Sequence, residues 1–298
     1  MATWQLGGVS VTRIEEQLGI ANQPPEKYFP GFERDVLERH LHWLVPDHYS
    51  IERDRVISSV HSWLIRTEAH TILLDCCAGN HKDRPWTPRF NQLNTPFLER
   101  LRSAGAAPED IDMVLCTHLH ADHVGWNTVQ RDGRWVPTFP NATYLFSRTE
   151  AQYWDASANP AMAADPRRMA YVDSVLPVIE AGQSLLVEGN HAIDDCLHIE
   201  PAPGHTPGHV IVKFEQGGDR ALFCGDAIHH ALQVYAPHWN HVADEDPALA
   251  QVTRRRILDY CAESGSLLFP THFGAPHVVK ISSTGAGFGL QFLAGGNS

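Results

Sequence analysis

The chain has 298 residues, 43% hydrophobic and 19% charged, a globular mixture that excludes a disordered, collagen-like or coiled-coil protein. With 23 Lys plus Arg against 35 Asp plus Glu, the formal charge of -12 disfavours a nucleic-acid backbone or an anionic membrane as main partner. Six Cys with no CxxC pair make no disulfide framework, whereas 19 His is a high count.

The opening Met1-Ala2-Thr3-Trp4-Gln5-Leu6 has neither the basic region nor the apolar core of a secretory signal. No apolar run is long enough to span a bilayer, so a cytoplasmic location with reduced thiols is expected. His40-Leu41-His42-Trp43-Leu44 has HxH spacing without further acidic or His neighbours, and reads as a surface loop able to lie over a site. Residues 56–60 and 63–65 read as strand, as do 71–74, which end at Asp75. Thr95 and Pro96 open a helix that runs to Leu101 and closes at Gly105. A buried strand over 111–116 stops at Thr117, and another covers 143–146. Ser147 and Glu150 have capping-box spacing for the helix that follows. A longer helical pattern covers 165–180 and closes near Gly182. Strands are expected at 183–187, 196–199, 210–214 and 221–224. Asp246 and Pro247 then cap a last long helix to Cys261, 267–269 form a final strand, and a short Gly-rich tail ends the chain. Helices between strands in both halves, with no repeat and no linker, predict an α/β chain with two sheets sandwiched between helices. One domain over 1–298 is the economical reading.

The strongest signal is Thr117-His118-Leu119-His120-Ala121-Asp122-His123-Val124-Gly125, placed directly after an apolar strand. Imidazole and carboxylate are the ligands of zinc and similar first-row cations. On an extended segment residues two apart point the same way, so His118 and His120 can chelate one ion together. Asp122 and His123 follow a turn and can face a second. Three further segments offer ligands after strands: Pro203-Gly204-His205-Thr206-Pro207-Gly208-His209, Gly225-Asp226, and Pro270-Thr271-His272-Phe273. Each is weak alone; their order after the first motif makes the set specific.

The succession HxHxDH, GHTPGH, GDA and a late His after a strand resembles the metallo-β-lactamase-fold hydrolases. That resemblance implies a four-layer αββα sandwich and a dinuclear metal site. His118, His120 and His205 would hold the first metal and Asp122, His123 and His272 the second, with Asp226 bridging and Asp75 orienting the ligand loop. His205 is preferred to His209, and His272 to His277, as ligands. Two divalent ions, zinc first with iron, manganese or cobalt as alternatives, would make a bridging hydroxide available near neutral pH. Asp122 or Asp226 would pass the proton.

Ligand order and length are similar to those of acyl-homoserine lactonases and methyl-parathion-hydrolase-like enzymes, which implies opening of a lactone or cleavage of an ester-type bond. Phosphotriester or β-lactam hydrolysis, and mononuclear-iron sulfur dioxygenation, are the alternatives. The lactonases carry a Tyr three residues after the bridging Asp; here His229 stands there, beside His230, and can donate a hydrogen bond to an oxyanion. Trp126, Trp239 and Phe273 are candidates for an aromatic pocket wall, which would suit a partly apolar small molecule. Related lactonases also make a homodimer an expectation, although no interface signature stands in the sequence.

Overall fold

A computed structural model describes residues 2–285 and 287–297. Two compact units divide the chain, one of residues 2–17 and 60–191 with the C-terminal end, the other of 18–59 and 192–296.

In the first unit, four parallel strands lie side by side in the order Ser184–Val187, Thr143–Ser147, Met113–Leu115 and Thr71–Leu74. Parallel strands covered on both faces read as unbroken apolar runs, as Ile72-Leu73-Leu74 and Met113-Val114-Leu115 do. Residues 63–66 pair antiparallel with Thr71–Leu74, and Ala2–Leu6 pairs antiparallel with the start of Val9–Ile20. Phe97 and Leu101, on one face of the helix Phe97–Ser103, pack with Leu73, Val114, Tyr144 and Phe146 in the core of this unit.

Three local expectations are corrected here. The helix at Phe97 has no side-chain cap, because the Thr95 hydroxyl bonds Glu16 and Asn80 instead. Ser147 does not cap the helix Arg148–Trp154; Glu150 is buried and accepts the Leu119 N–H and the Trp154 indole N–H, both at 3.2 Å. The helix expected over 165–180 is broken into Met169–Ser174 and Leu176–Glu180, since Pro177 has no N–H to continue the ladder.

The second unit is built on strands ordered Leu197–Pro201, Val210–Gln216, Asp219–Phe223, Leu267–Phe269, Val278–Thr284 and Gly287–Leu293. All neighbours are antiparallel except Asp219–Phe223 and Leu267–Phe269, whose parallel pairing needs a crossover, supplied by the helix Pro247–Ser264. Asp246 caps that helix by accepting the Leu249 N–H, and Gly265 ends it in the left-handed conformation. Ile257, Leu258 and Cys261 on its inner face pack with Leu222, Leu268 and Val279. The expected Gly-rich tail is instead the strand pair Val278–Thr284 and Gly287–Leu293. His40 and His42 lie on the helix Arg34–Leu44, not on a surface loop, and its residues Val36, Leu37 and Leu44 are buried with Phe29, Leu232 and Trp239.

Candidate metal centre

In the first unit, the strand Met113–Leu115 delivers the chain to Thr117, and a single helical turn at Ala121–Val124 follows. The backbone at His120 is extended, and the His118 and His120 rings lie 4.6 Å apart by centroid. The turn then brings His123 back, its ring 4.1 Å from that of His118 and its Nε2 4.0 Å from Asp122 Oδ1. Asp75 anchors the loop. Its carboxylate accepts the Thr117 N–H at 2.8 Å and the Thr117 hydroxyl at 3.1 and 3.0 Å, and lies 3.0 Å from His123 Nδ1. The Thr117 hydroxyl in turn accepts from His118 Nδ1 at 3.2 Å.

Behind the loop, residues 76–79 and 123–126 are joined through Cys76 N–H to His123 O, Gly125 N–H to Cys77 O and Trp126 N–H to Cys76 O, at 2.7, 2.7 and 2.8 Å. The two backbones touch: a Cβ on Gly125 would stand 1.9 Å from Ala78 carbonyl atoms. Buried Glu16 closes this layer by accepting the N–H groups of Ala78 and Gly79 and the Trp126 indole N–H, the last at 2.6 Å. Burial raises the Glu16 pKa against those hydrogen bonds, which lower it.

In the second unit, Gly204 makes the turn after Leu197–Pro201, with a φ of 135° and no room for a Cβ beside Ala250. His205 follows it. The short turn Gly225–Ala227 after Asp219–Phe223 presents Asp226, and the segment after Leu267–Phe269 presents His272. One buried carboxylate thus meets three imidazoles. Asp226 Oδ2 lies 3.4 Å from His205 Nε2 and 3.0 Å from His229 Nε2, and Oδ1 lies 3.0 Å from His272 Nε2.

The other ring nitrogens are turned outward. His205 Nδ1 donates to Asp244 Oδ1 at 2.8 Å, and His272 Nδ1 donates to the Ser59 carbonyl at 2.8 Å. Asp244 is itself held by the His241 N–H at 2.9 Å and by Arg254 at 3.4 Å. Such outward bonds fix the tautomer so that Nε2 remains as the donor atom toward a cation, the arrangement of histidine ligands with carboxylate or carbonyl partners. His118, with Nδ1 on Thr117, and His123, with Nδ1 facing Asp75, follow the same pattern. The nitrogen and oxygen donors of each unit therefore fit a divalent first-row ion.

His209 acts on the backbone rather than toward a cation, its Nε2 accepting the N–H of Asp226 at 3.0 Å. His277 Nδ1 donates to the Phe273 carbonyl at 2.8 Å, bracing the loop after His272. His230 is turned from Asp226, with Nε2 donating to the His48 carbonyl and Nδ1 accepting from Leu232 N–H. Burial lowers the pKa of His229 and of His230 to about 4, so both rings are neutral near pH 7. The residues expected to form an aromatic wall are core residues. Trp126, Trp239 and Phe273 are all buried in hydrophobic cores, with the indole N–H groups on Glu16 and Glu33.

Two polar residues at this site carry no signal of their own in the sequence, Asp244 and His241. Ligand-type atoms of His205, His229, His241 and Asp244 lie within 4.8 Å of one another. Asp244 stands in an acidic run ahead of the helix and looks like part of its cap, and His241 belongs to no motif.

A sequence profile described as the Metallo-beta-lactamase superfamily matches residues 55–272. The chain belongs to that superfamily. An N-acyl homoserine lactonase of Bacillus thuringiensis is 27% identical over 176 residues, which are 58% of this chain and 60% of the relative. The chain thus matches about three-fifths of the length of these curated relatives. Among solved structures, the hydrolase AbOPH superposes with a TM-score of 0.81 at 23% identity, covering 100% of this chain and 98% of the other. AidC, a dizinc quorum-quenching lactonase solved with a product, gives 0.79 at 19% identity over 99% and 98%. The α/β fold is that of the metallo-β-lactamase superfamily, as the ligand motifs implied. Among the described residues no helix is long and apolar enough to cross a membrane.

Proposed function

We propose that this protein is a metal-dependent hydrolase that opens a lactone or cleaves an ester-type bond in a small molecule. The observation that carries the reading is the Asp226 carboxylate with Nε2 of His205, His229 and His272 at 3.4, 3.0 and 3.0 Å, two of those rings being tied outward through Nδ1. In this reading the chain is one hydrolase domain with two divalent ions, zinc by preference. His118, His120 and His205 serve one ion, Asp122, His123 and His272 the other, and Asp226 both. The superfamily membership and the names of the similar proteins support it.

Bound there, the cations supply a water acidified toward neutral pH and polarisation of the scissile carbonyl. The protein does the rest. Asp244 and the Ser59 carbonyl keep His205 and His272 in one tautomer. Asp226 or Asp122 takes up the proton of the attacking water and passes it on. His229, neutral and buried with Nε2 3.0 Å from Asp226, would share its one N–H between that carboxylate and the carbonyl oxygen on which charge grows. A cytoplasmic location suits six buried, unbridged cysteines. A homodimer belongs to the reading on family grounds.

Metal-loaded protein assayed on lactones, aryl esters, phosphotriesters and β-lactams tests the proposal. Preferred turnover of lactones or esters supports it. Preference for phosphotriesters or β-lactams would move the substrate class, and no hydrolysis at all would overturn the reading.

A further inference from the structure

His241 stands between two residues held by backbone. The Asn240 N–H donates to the Pro30 carbonyl at 3.4 Å and the Val242 N–H to the Tyr28 carbonyl at 3.0 Å. Its ring lies flat on that of His229, with centroids 3.8 Å apart and planes 19° from parallel, while Tyr28 meets its edge at 4.6 Å. The Ala243 N–H donates to His241 Nδ1 at 3.3 Å. A neutral imidazole that accepts at Nδ1 carries its proton on Nε2. Among the described residues no hydrogen bond is made by His241 Nε2, and the side chain is only partly buried, unlike His229.

The two rings thus form a stack with an inner and an outer member. The inner, His229, has Nε2 against Asp226. The outer, His241, stacks on it and offers a proton on Nε2. Two imidazoles stacked at that spacing can serve the two oxygens of one ester or lactone group, which are carried on the same carbon.

We propose that His241 is a substrate-contacting residue of this site, its Nε2–H bonding the alkoxy oxygen that departs while His229 serves the carbonyl oxygen. This rests on the hydrolase reading above. In the reaction a water oxygen bonds to the acyl carbon, the acyl–alkoxy bond breaks, and the proton released by the water ends on the alkoxy oxygen. His241 keeps its own proton and stabilises the negative charge while it is on that oxygen.

The test is a leaving-group series, from nitrophenyl esters to alkyl esters and lactones, on wild type, His241→Phe and His241→Gln. Phe keeps a flat ring on His229 and removes the donor; Gln restores an N–H and covers the case in which the Phe variant does not fold. For His241→Phe the inference expects unchanged metal content and kcat lowered about 10- to 100-fold on alkyl esters and lactones, the worth of one hydrogen bond to a charged oxygen. It expects less than about threefold loss on nitrophenyl esters, whose leaving oxygen needs little help. Partial recovery is expected for His241→Gln. Equal loss across the series, or no loss, would overturn the inference while leaving the hydrolase reading intact. Loss of a bound ion in either variant would also overturn it and assign His205, His229, His241 and Asp244 to a cation instead. A wild-type protein that hydrolyses no member of the series would take down the hydrolase reading, and this inference with it.

Discussion

His205 Nδ1 and Asp244 Oδ1 are 2.8 Å apart, both side chains are buried, and the two residues stand 39 positions apart in the chain. In the proposed reading the carboxylate orients the imidazole and makes it a better ligand, so the pair would set metal affinity. Asp244→Asn keeps the shape and an acceptor oxygen while removing the charge. It is expected to weaken metal binding about 10- to 100-fold, measured by competition with a chromophoric chelator. Asp244→Ala is expected to cost fold stability as well, because Arg254 would stay buried with its partner charge gone.

Among the described residues of the second unit, Asp226 is a carboxylate that three imidazoles address. Its replacement by Ala is expected to abolish ester and lactone turnover while circular dichroism and melting stay close to wild type. The backbone turn survives because its N–H is held by His209, not by the lost side chain. Kinetics on the metal-loaded variant check this, and undiminished turnover would remove the dinuclear mechanism.

The fold of the second unit is expected to weaken in mild acid. Burial lowers His48 to about 3 and His230 to about 4, from 6.5. Below pH 6.5 the unfolded chain takes up protons that the folded chain refuses, so unfolding free energy falls as pH drops toward 4 and is restored as pH rises. Each group contributes a slope approaching about 1.4 kcal/mol per pH unit in that window. Urea unfolding of metal-free wild type and His48→Asn from pH 7 to pH 4 reads the difference. The variant is expected to show the shallower slope, and an identical slope would contradict the assignment.

Gly125 is required by contact between backbones. A Cβ there would overlap Ala78 carbonyl atoms at 1.9 Å, so either the ligand loop or the segment after Asp75 must move. Gly125→Ala is expected to lose about 3 kcal/mol in denaturant unfolding and to bind metal poorly.

The apolar strands and the ligand motifs are legible in the sequence because both are local. Ile72-Leu73-Leu74 and Val114-Leu115 are buried on both faces and say so in their composition. Capping is less legible, since Thr95 and Glu150 have hydroxyl and carboxyl groups that find tertiary partners in place of the neighbouring backbone. The strand Val9–Ile20 is hidden: the charges Glu15 and Glu16 argue against a strand, and Glu16 is buried only because distant N–H groups satisfy it. For the same reason Trp126 passes for a pocket residue, when its indole N–H belongs to that carboxylate. The Asp244 and His241 contacts depend on how a loop folds back across the second unit, and no spacing in the sequence announces that.

Elemental analysis of the purified protein, taken with its ester and lactone turnover before and after chelation, bears most directly on the central claim. The account predicts close to two divalent ions per chain, turnover lost on their removal and regained on their return. A single iron accompanied by oxygen uptake on persulfides, or hydrolysis indifferent to chelation, would contradict it.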